Sequence, residues 1–569
     1  MNFVEKLGVK NCSWQAFERV IARLLICDDF QNVRLVGGSG DHGADVVASK
    51  YNKRWLIQAK QWKKPVGINV LNETLKALRD YNAAIPVIAS SHGFETDLKK
   101  QQLILQSQNV PLQLWDERVI LERASKLKSG KVTNTKRPRE YQENAIKNIV
   151  QPFFDQFDNR SLIVLATGLG KTFVAAEAMR RIYNNKPVRV LVLAHTNSLV
   201  YQLEKSFWPF LTPEQSTFIW NGYERPDLSR GYDFVFACIN TVYDALQKNI
   251  TYDFDAIIID ECHHAGSPSY RKLIEYYNAG KPNGPFLLGL TATPWRPDDN
   301  DIKDFFGEPR ISIDMVYGMK HGFLTNVDYR MYTDNIDWNS LKSFNGKLFS
   351  PKQINRTLFI NQWDDAVVTE LQRAWTEQQN PRAIVFCGTI DHAIKMRDKI
   401  NALGFCNAAA IFAGSKDASE DQPFYERNRI LCDFSDGLIN VVCAVDVFNE
   451  GIDVPDVNII VFQRVTHSRR IFIQQLGRGL RISDDKDKVI VLDFVSDIRR
   501  FAAGIDLKDK LSSHDAVRVN IPNKVTFRKV GGDDPKTELF LREWLDDVAS
   551  IENANEDSSI LKYPPQIPN

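Results

Sequence analysis

Among the eight cysteines (Cys12, Cys27, Cys238, Cys262, Cys387, Cys406, Cys432 and Cys443) there is no CxxC pair. That spacing argues against both a zinc site and a disulfide framework, and the cysteines read as reduced core residues. No stretch is apolar over the length a bilayer demands, and the opening MNFVEKLGVKNCSW lacks the apolar core of a signal peptide. A cytoplasmic protein is expected. Short-period repeats are missing as well. Net charge is almost missing: 72 Lys+Arg against 71 Asp+Glu leave +1.

What is present is length and an uneven charge distribution. A chain of 569 residues is too long for one core and suggests three or four domains. Hydrophobic content of 43% with 25% charged residues fits an ordinary globular protein. Residues 1–136 hold 21 Lys+Arg against 13 Asp+Glu, so the front end carries +8 and the remainder −7. A basic front on an acidic body points to a polyanionic partner for the front.

Small, polar and basic residues at 124–136, ASKLKSGKVTNTK, suit a linker, placed at 129–136 after a first domain of residues 1–128. From Tyr141 onward, short apolar runs alternate with helix-like stretches: SLIVLAT, VRVLVLAH, DFVFAC, FDAIIID and PFLLGLTAT. A second set follows, RAIVFCG, AAAIFAG, INVVCAV, VNIIVFQ and KVIVLDF. Such buried strands ending in small or polar residues predict two parallel α/β domains with chemistry at the strand C-termini. Their expected limits are 137–315 and 365–500, joined by a connecting segment 316–364. A C-terminal region 501–569 carries a plausible helix near 537–549 and a polar tail.

In the first α/β domain a strand runs into a glycine-rich turn, SLIVLATGLGKTF, 161–173. Backbone N–H groups of such a turn cradle phosphates at a helix N-terminus. Thr167, Gly168, Leu169 and Gly170 would form the cradle; Lys171 would reach the β- and γ-phosphates and Thr172 would hold Mg²⁺. Leu165 stands where the general GxxxxGK[ST] pattern has its first glycine. FDAIIIDECHH, 254–264, is a strand ending in Asp260, suited to the Mg²⁺, and Glu261, suited to orienting a hydrolytic water. Upstream, Arg139 and Gln142 can read an adenine edge.

The span 137–495 resembles a superfamily 2 DEAD/DEAH-like helicase or translocase, of the kind found in restriction-type motors. The resemblance implies ATP and Mg²⁺ as cofactors. It makes Arg139 and Gln142 the adenine-reading motif, Gly168 to Thr172 motif I, and Asp260, Glu261, Cys262 and His263 a DEAH-like motif II with Cys262 in place of alanine. Thr291, Ala292 and Thr293 become motif III. NEGIDVPDVN, with Gly451 and Asp453, looks like motif V, and QQLGRGLR like motif VI, placing Arg478 and Arg481 opposite the γ-phosphate. Guanidinium there stabilises charge on the transferring phosphoryl and makes hydrolysis depend on domain closure. Val445 replaces a threonine common in relatives. Arg464, Thr466 and Ser468 resemble a bacterial subgroup of restriction motors and repair helicases.

The front domain poses a separate question: why GDHGADVVASKYNKRWLIQAK carries polar residues among apolar ones. Alternation puts Leu56, Gln58 and Lys60 on one face of a strand. A reversal centred on Tyr51 and Asn52 sets Asp45 opposite Gln58, with Lys60 diagonal to it. Asp45 and Gln58 can ligate Mg²⁺, and Lys60 can orient or deprotonate water and steady a phosphorane. SWQAFERVIARLL reads as a helix capped by Ser13, with an apolar stripe of Trp14, Phe17, Ile21, Leu24 and Leu25. Glu18 lies on or beside that stripe, where it either snorkels to water or completes a metal site. These features resemble the Mrr-like branch of the PD-(D/E)xK nucleases, including Gln58 where many relatives have Glu. His42 neighbours the site without an assigned role.

The resemblances imply a fold of an α/β restriction-endonuclease-like domain followed by two RecA-like domains. They imply a double-stranded DNA partner, an ATP-driven motor and Mg²⁺-dependent cleavage, in restriction-type defence against foreign DNA. No methyltransferase motif is apparent, so a partner protein or recognition of modified bases would supply self-protection. Two rivals stay open: a repair or remodelling translocase whose front domain only binds DNA, and an RNA-directed helicase or nucleic-acid sensor.

Overall fold

The computed structural model describes residues 2–37, 43–155, 159–225, 231–292, 302–313, 317–318, 321–333, 361–412, 422–445, 457–463, 488–495 and 525–529. His42, Thr293, Gly451, Asp453, Arg464, Thr466, Ser468, Arg478, Arg481 and the helix expected near 537–549 lie outside these residues. The chain divides into two units, residues 1–165, 170–312 and 423–432 in one, and 166–169, 313–422 and 433–569 in the other. No helix among the described residues is long and apolar enough to cross a membrane.

The first unit holds two sheets. The front one runs in chain order through β1 (Gln31–Leu35), β2 (Val46–Lys50), β3 (Lys53–Lys60), β4 (Ile85–Ser90) and β5 (Gln113–Trp115). Its first three strands pair antiparallel and the rest parallel. Tyr51 and Asn52 take positive φ of 53° and 57°, the geometry a two-residue hairpin turn needs to match strand twist. That turn fixes the register Val46 to Ile57, which sets Asp45 against Gln58 as expected.

One face of this sheet presents Val46, Ala48, Trp55, Ile57 and Ala59 to helix α2 (Trp14–Cys27), which follows α1 (Phe3–Leu7). The other face presents Val47 and Leu56 to α3 (Ile68–Asp80). Ser13 caps α2 by accepting from the Ala16 N–H, as its sequence predicts. Trp14 departs from the expected stripe: it is 52% exposed, because the helix buries Phe17, Ile21, Leu24 and Leu25 and turns Trp14 outward. More unexpectedly, Arg19 and Arg23 are buried.

The second sheet of this unit has the order β12-β6-β11-β10-β7-β9-β8. Its strands are β6 (Arg160–Leu165), β7 (Val190–Ala194), β8 (Thr217–Trp220), β9 (Phe234–Cys238), β10 (Ala256–Asp260), β11 (Phe286–Thr291) and β12 (Pro309–Ile313). The pairings from β6 to β8 are parallel. The apolar runs read from the sequence become these strands, buried on both faces, so loops bearing chemistry emerge at their C-terminal ends. Helices α4 (Glu140–Phe154) and α5 (Lys171–Asn185) flank β6 in the chain.

The second unit is built on a parallel sheet ordered β15-β16-β14-β17-β18-β13-β19. Its strands are β13 (Asn326–Thr333), β14 (Ala383–Phe386), β15 (Ala408–Phe412), β16 (Val441–Val445), β17 (Ile459–Phe462), β18 (Lys488–Val495) and β19 (Val525–Lys529). β13 comes from the stretch between the two expected α/β domains, and β19 from the C-terminal region. Val445 ends β16 with 7% exposure.

Candidate functional site

In the nucleotide site the Leu165 departure has a simple geometry. Leu165 is the buried last residue of β6, so the turn itself is ATGLG. Gly168 and Gly170 carry its positive φ, 93° and 84°, where a side chain is disfavoured. Lys171 then opens α5, with Gly170 as its N-cap. A Cβ on Gly170 would lie 2.9 Å from Gln142 Nε2, so the buried Gln142 amide abuts the turn. The same amide's Oε1 accepts from the Arg139 backbone N–H at 3.0 Å, which seats the two sequence-predicted adenine readers beside the phosphate loop.

Lys171 Nζ lies 3.4 Å from Glu261 Oε1. Glu261 adopts left-handed backbone (φ 48°), a strained conformation of the kind held at functional turns. Its other oxygen is 3.3 Å from His263 Nδ1, which is 3.0 Å from Thr291 Oγ1. A continuous polar path therefore runs from Lys171 through Glu261 and His263 to Thr291. Cys262 is fully buried against Gly289, where a Cβ would fall 3.0 Å from its Sγ; burial raises the thiol pKa well above its ordinary value.

Asp260 is 9% exposed and its Oδ1 has no hydrogen-bond partner. Burial first, and then the neighbouring Glu261 charge, push its pKa up to about 7. A buried carboxylate oxygen without a partner is costly unless a cation meets it, so the residues fit a Mg²⁺ carried in with the nucleotide. Sequence reasoning missed His195, whose ring is 4.6 Å from that of His264. Its position just after β7 was the available signal.

In the front domain Asp45 is 2% exposed, and its Oδ2 accepts from the Ala59 N–H at 2.6 Å. Lys60 Nζ lies 3.9 Å from the same oxygen. Glu18 arrives from α2. A Cβ on Gly37 would sit 2.9 Å from Glu18 Oε2 and 3.0 Å from Asp45 Oδ1, so those oxygens are at most about 6 Å apart. Two carboxylates lining a cradle that one methyl group would fill fit a divalent cation. Among the described residues no group of three or more His, Cys, Asp or Glu is placed to hold a metal ion by itself; the remaining candidate here is an amide.

That amide is Gln58, fully buried. Its Nε2 donates to Glu73 Oε2 at 3.0 Å, and its Oε1 accepts from the Thr74 hydroxyl. Both partners lie on α3. Neither was singled out in the sequence, because nothing in ETL announces a contact fifteen residues back in the chain.

Residues 9–123 match the family described as "Restriction endonuclease", residues 135–296 "Type III restriction enzyme, res subunit", and residues 364–483 "Helicase conserved C-terminal domain". The Type I restriction enzyme EcoAI endonuclease subunit of Escherichia coli is 26% identical over 79% of this chain and 59% of its own length. The putative mitochondrial ATP-dependent helicase irc3 of Schizosaccharomyces pombe is 28% identical over 65% of this chain and 59% of its own. The chain thus spans about three fifths of these curated relatives. Among solved structures, the ATP-dependent Type ISP restriction-modification enzyme LlaBIII bound to DNA superposes with a TM-score of 0.51 at 16% identity, covering 95% of this chain and 42% of that one; the likeness is one of fold. This chain carries a restriction-endonuclease domain ahead of the two halves of a helicase.

Proposed function

We propose that the chain is an ATP-driven DNA translocase that cleaves DNA with Mg²⁺, acting in restriction of foreign DNA. The observation that carries the cleavage reading is the meeting of Glu18 and Asp45 around Gly37, with Lys60 beside Asp45. Glu18 and Asp45 would hold the cation, with the Gln58 amide at its edge. Bound there, the cation supplies Lewis-acid activation of water and of the scissile phosphate. Lys60, 18% exposed at the side chain, would steady the charge that develops on the phosphorane.

In the motor, Gly168 to Thr172 would seat the phosphates and Arg139 with Gln142 the adenine. Thr172 and Asp260 would take the Mg²⁺ of the nucleotide. Glu261, now paired with Lys171, would turn to the hydrolytic water once the γ-phosphate draws Lys171 away. By the resemblance, Gly451, Asp453, Arg478 and Arg481 would also serve ATP hydrolysis. DNA contacts through phosphate would make binding fall with salt.

The test is one panel of methylated, unmethylated and single-stranded DNA plus duplex RNA, with ATP hydrolysis and plasmid nicking followed in parallel. Duplex DNA should stimulate hydrolysis, and nicking should need Mg²⁺ and intact Asp45. Equal nicking by Asp45→Ala, or none by either protein, removes the nuclease. Stimulation by RNA above DNA removes the DNA motor.

A further inference from the structure

Helix α2 has two buried sides. One carries Phe17, Ile21, Leu24 and Leu25 into the front sheet's core. The other carries Arg19, 6% exposed, which a lone nuclease domain would leave in water. Its partners come from the ATP-binding domain. Arg19 Nη1 and Nη2 donate to the two oxygens of Glu224 at 2.6 and 3.0 Å, and its Nε stands 2.8 Å from Glu204 Oε2.

Both carboxylates are themselves buried and held. Glu224 also accepts from Ser13 Oγ at 3.0 Å and Tyr201 OH at 3.3 Å, while Thr217 Oγ1 donates to Glu204 at 2.7 Å. Burial alone would disfavour the guanidinium charge, yet the paired carboxylates raise the Arg19 pKa above its ordinary value. Burial raises that of Glu204. A buried charge cluster of this kind adds little net stability, but removing one partner leaves an uncompensated buried charge.

Further contacts run the same way. Trp208, 1% exposed, sits in the nuclease core. Arg23 Nη2 donates to the Thr212 carbonyl at 3.0 Å, the Phe3 N–H to the Pro213 carbonyl at 2.7 Å, and Lys6 Nζ to Asp233 at 3.1 Å. Even the expected linker is tied down, with Gly130 N–H donating to Glu214 and Asn134 N–H to the Pro209 carbonyl.

We propose that Arg19 is a positioning residue that locks the nuclease onto the ATP-binding domain, so that the helix carrying Glu18 is held by the motor as well as by its own core. The inference rests on the nuclease reading for its effect on cleavage, though not for the docking itself. Glu18 and Arg19 are adjacent on one helix, so a tilt that frees Arg19 moves the Glu18 carboxylate away from Asp45. The nuclease then rides as one body with the domain that binds ATP.

The experiment compares full-length wild type with Arg19→Met, Arg19→Lys and Glu224→Gln, using hydrogen exchange, DNA-stimulated ATP hydrolysis and Mg²⁺-dependent cleavage. In Arg19→Met, exchange should rise roughly tenfold together in residues 14–27 and 208–220, while β6 and β10 stay protected. Hydrolysis should stay within about twofold and cleavage fall about tenfold or more, with Arg19→Lys recovering part of it. Glu224→Gln, which keeps the shape but replaces one accepting oxygen by an amide NH2 that cannot accept from Arg19, gives the same pattern more weakly and serves if Arg19→Met does not fold. Unchanged exchange at 208–220, or cleavage and hydrolysis falling by one common factor, overturns the proposal. If wild type cleaves nothing, the nuclease reading fails, and the exchange arm still decides the docking.

Discussion

The proposed ATP site takes its polar and charged groups from the C-terminal ends of β6, β10 and β11, three strands of one sheet, and Lys171, Glu261, His263 and Thr291 touch in series. The proposed nuclease site takes Asp45 and Lys60 from a hairpin and Glu18 from a helix on the opposite face of the sheet. The first arrangement is local to a few loops and tolerates shifts elsewhere. The second depends on how a helix sits on a sheet, and that helix is gripped from outside by Arg19. Chemistry contained within one sheet edge is robust; chemistry assembled across a packing interface is adjustable.

Separating the two sites is the strongest test of this contrast. Lys171→Ala should lower ATP hydrolysis about 10²-fold or more, since it removes a preorganised cation at the developing charge. Asp45→Ala should lower cleavage by a similar factor and leave DNA-stimulated hydrolysis unchanged. A parallel loss of hydrolysis in Asp45→Ala would show that the sites are not separately built.

Glycines sharpen the contrast at the next level. Gly37 has no positive φ, so Gly37→Ala should fold, but its methyl would fall 2.9 Å from Glu18 Oε2 and 3.0 Å from Asp45 Oδ1. Cleavage should drop about tenfold or more through misplacement of the two acids, with hydrolysis unaffected. Gly170→Ala is strained at φ 84° and meets Gln142 at 2.9 Å, so nucleotide affinity should fall and cleavage follow only through the lost motor. Steady-state KM for ATP and nicking rates measured on both variants check this.

Asp260 gives the comparison a pH axis. Its pKa, up to about 7 in the folded chain against 3.8 ordinarily, means that the native state holds the proton more tightly than the unfolded state. Without cation, the stability this group contributes is full below the ordinary carboxylate value and is lost as pH rises through about 7. Mg²⁺ must displace that proton, so affinity for Mg²⁺ with nucleotide should climb by up to about tenfold per pH unit below 7 and level off above it. Asp260→Asn should flatten the profile. Calorimetric titration between pH 5.5 and 8.5 measures it, and a flat wild-type profile would contradict the environment described for Asp260.

The same contrast governs what could be read from the sequence. The strands of the parallel sheets were legible because burial on both faces forces apolar runs, and the candidate ATP motifs because a glycine-rich turn and a strand-end acid pair are each contiguous in sequence. The hairpin register was legible from alternation and a two-residue turn. The docking of α2 was not. Arg19 and Arg23 look like a solvated face until Glu204, Glu224 and Trp208, some 200 residues on, cover them. Periodicity shows that a helix has a buried side; it cannot show a second one closed by charge pairing.

The grip on Gln58 is the finest case. Thr74 is buried, and its hydroxyl lies within hydrogen-bond reach of both Gln58 Oε1 and the Val70 carbonyl at 2.8 Å. Thr74→Val keeps the shape and removes the donor, leaving the buried amide oxygen short of a partner at a cost of about 1–3 kcal/mol. The amide is then held only by Glu73, from the exposed side of α3, and can rotate its oxygen. If Gln58 helps to seat the cation, cleavage should fall a few-fold, and higher Mg²⁺ should restore it. If it only braces the strand, Mg²⁺ will not help and the loss will track the drop in melting temperature. Hydrolysis of ATP should stay at the wild-type rate in both cases, because α3 touches the nuclease sheet and the phosphate loop belongs to the other one.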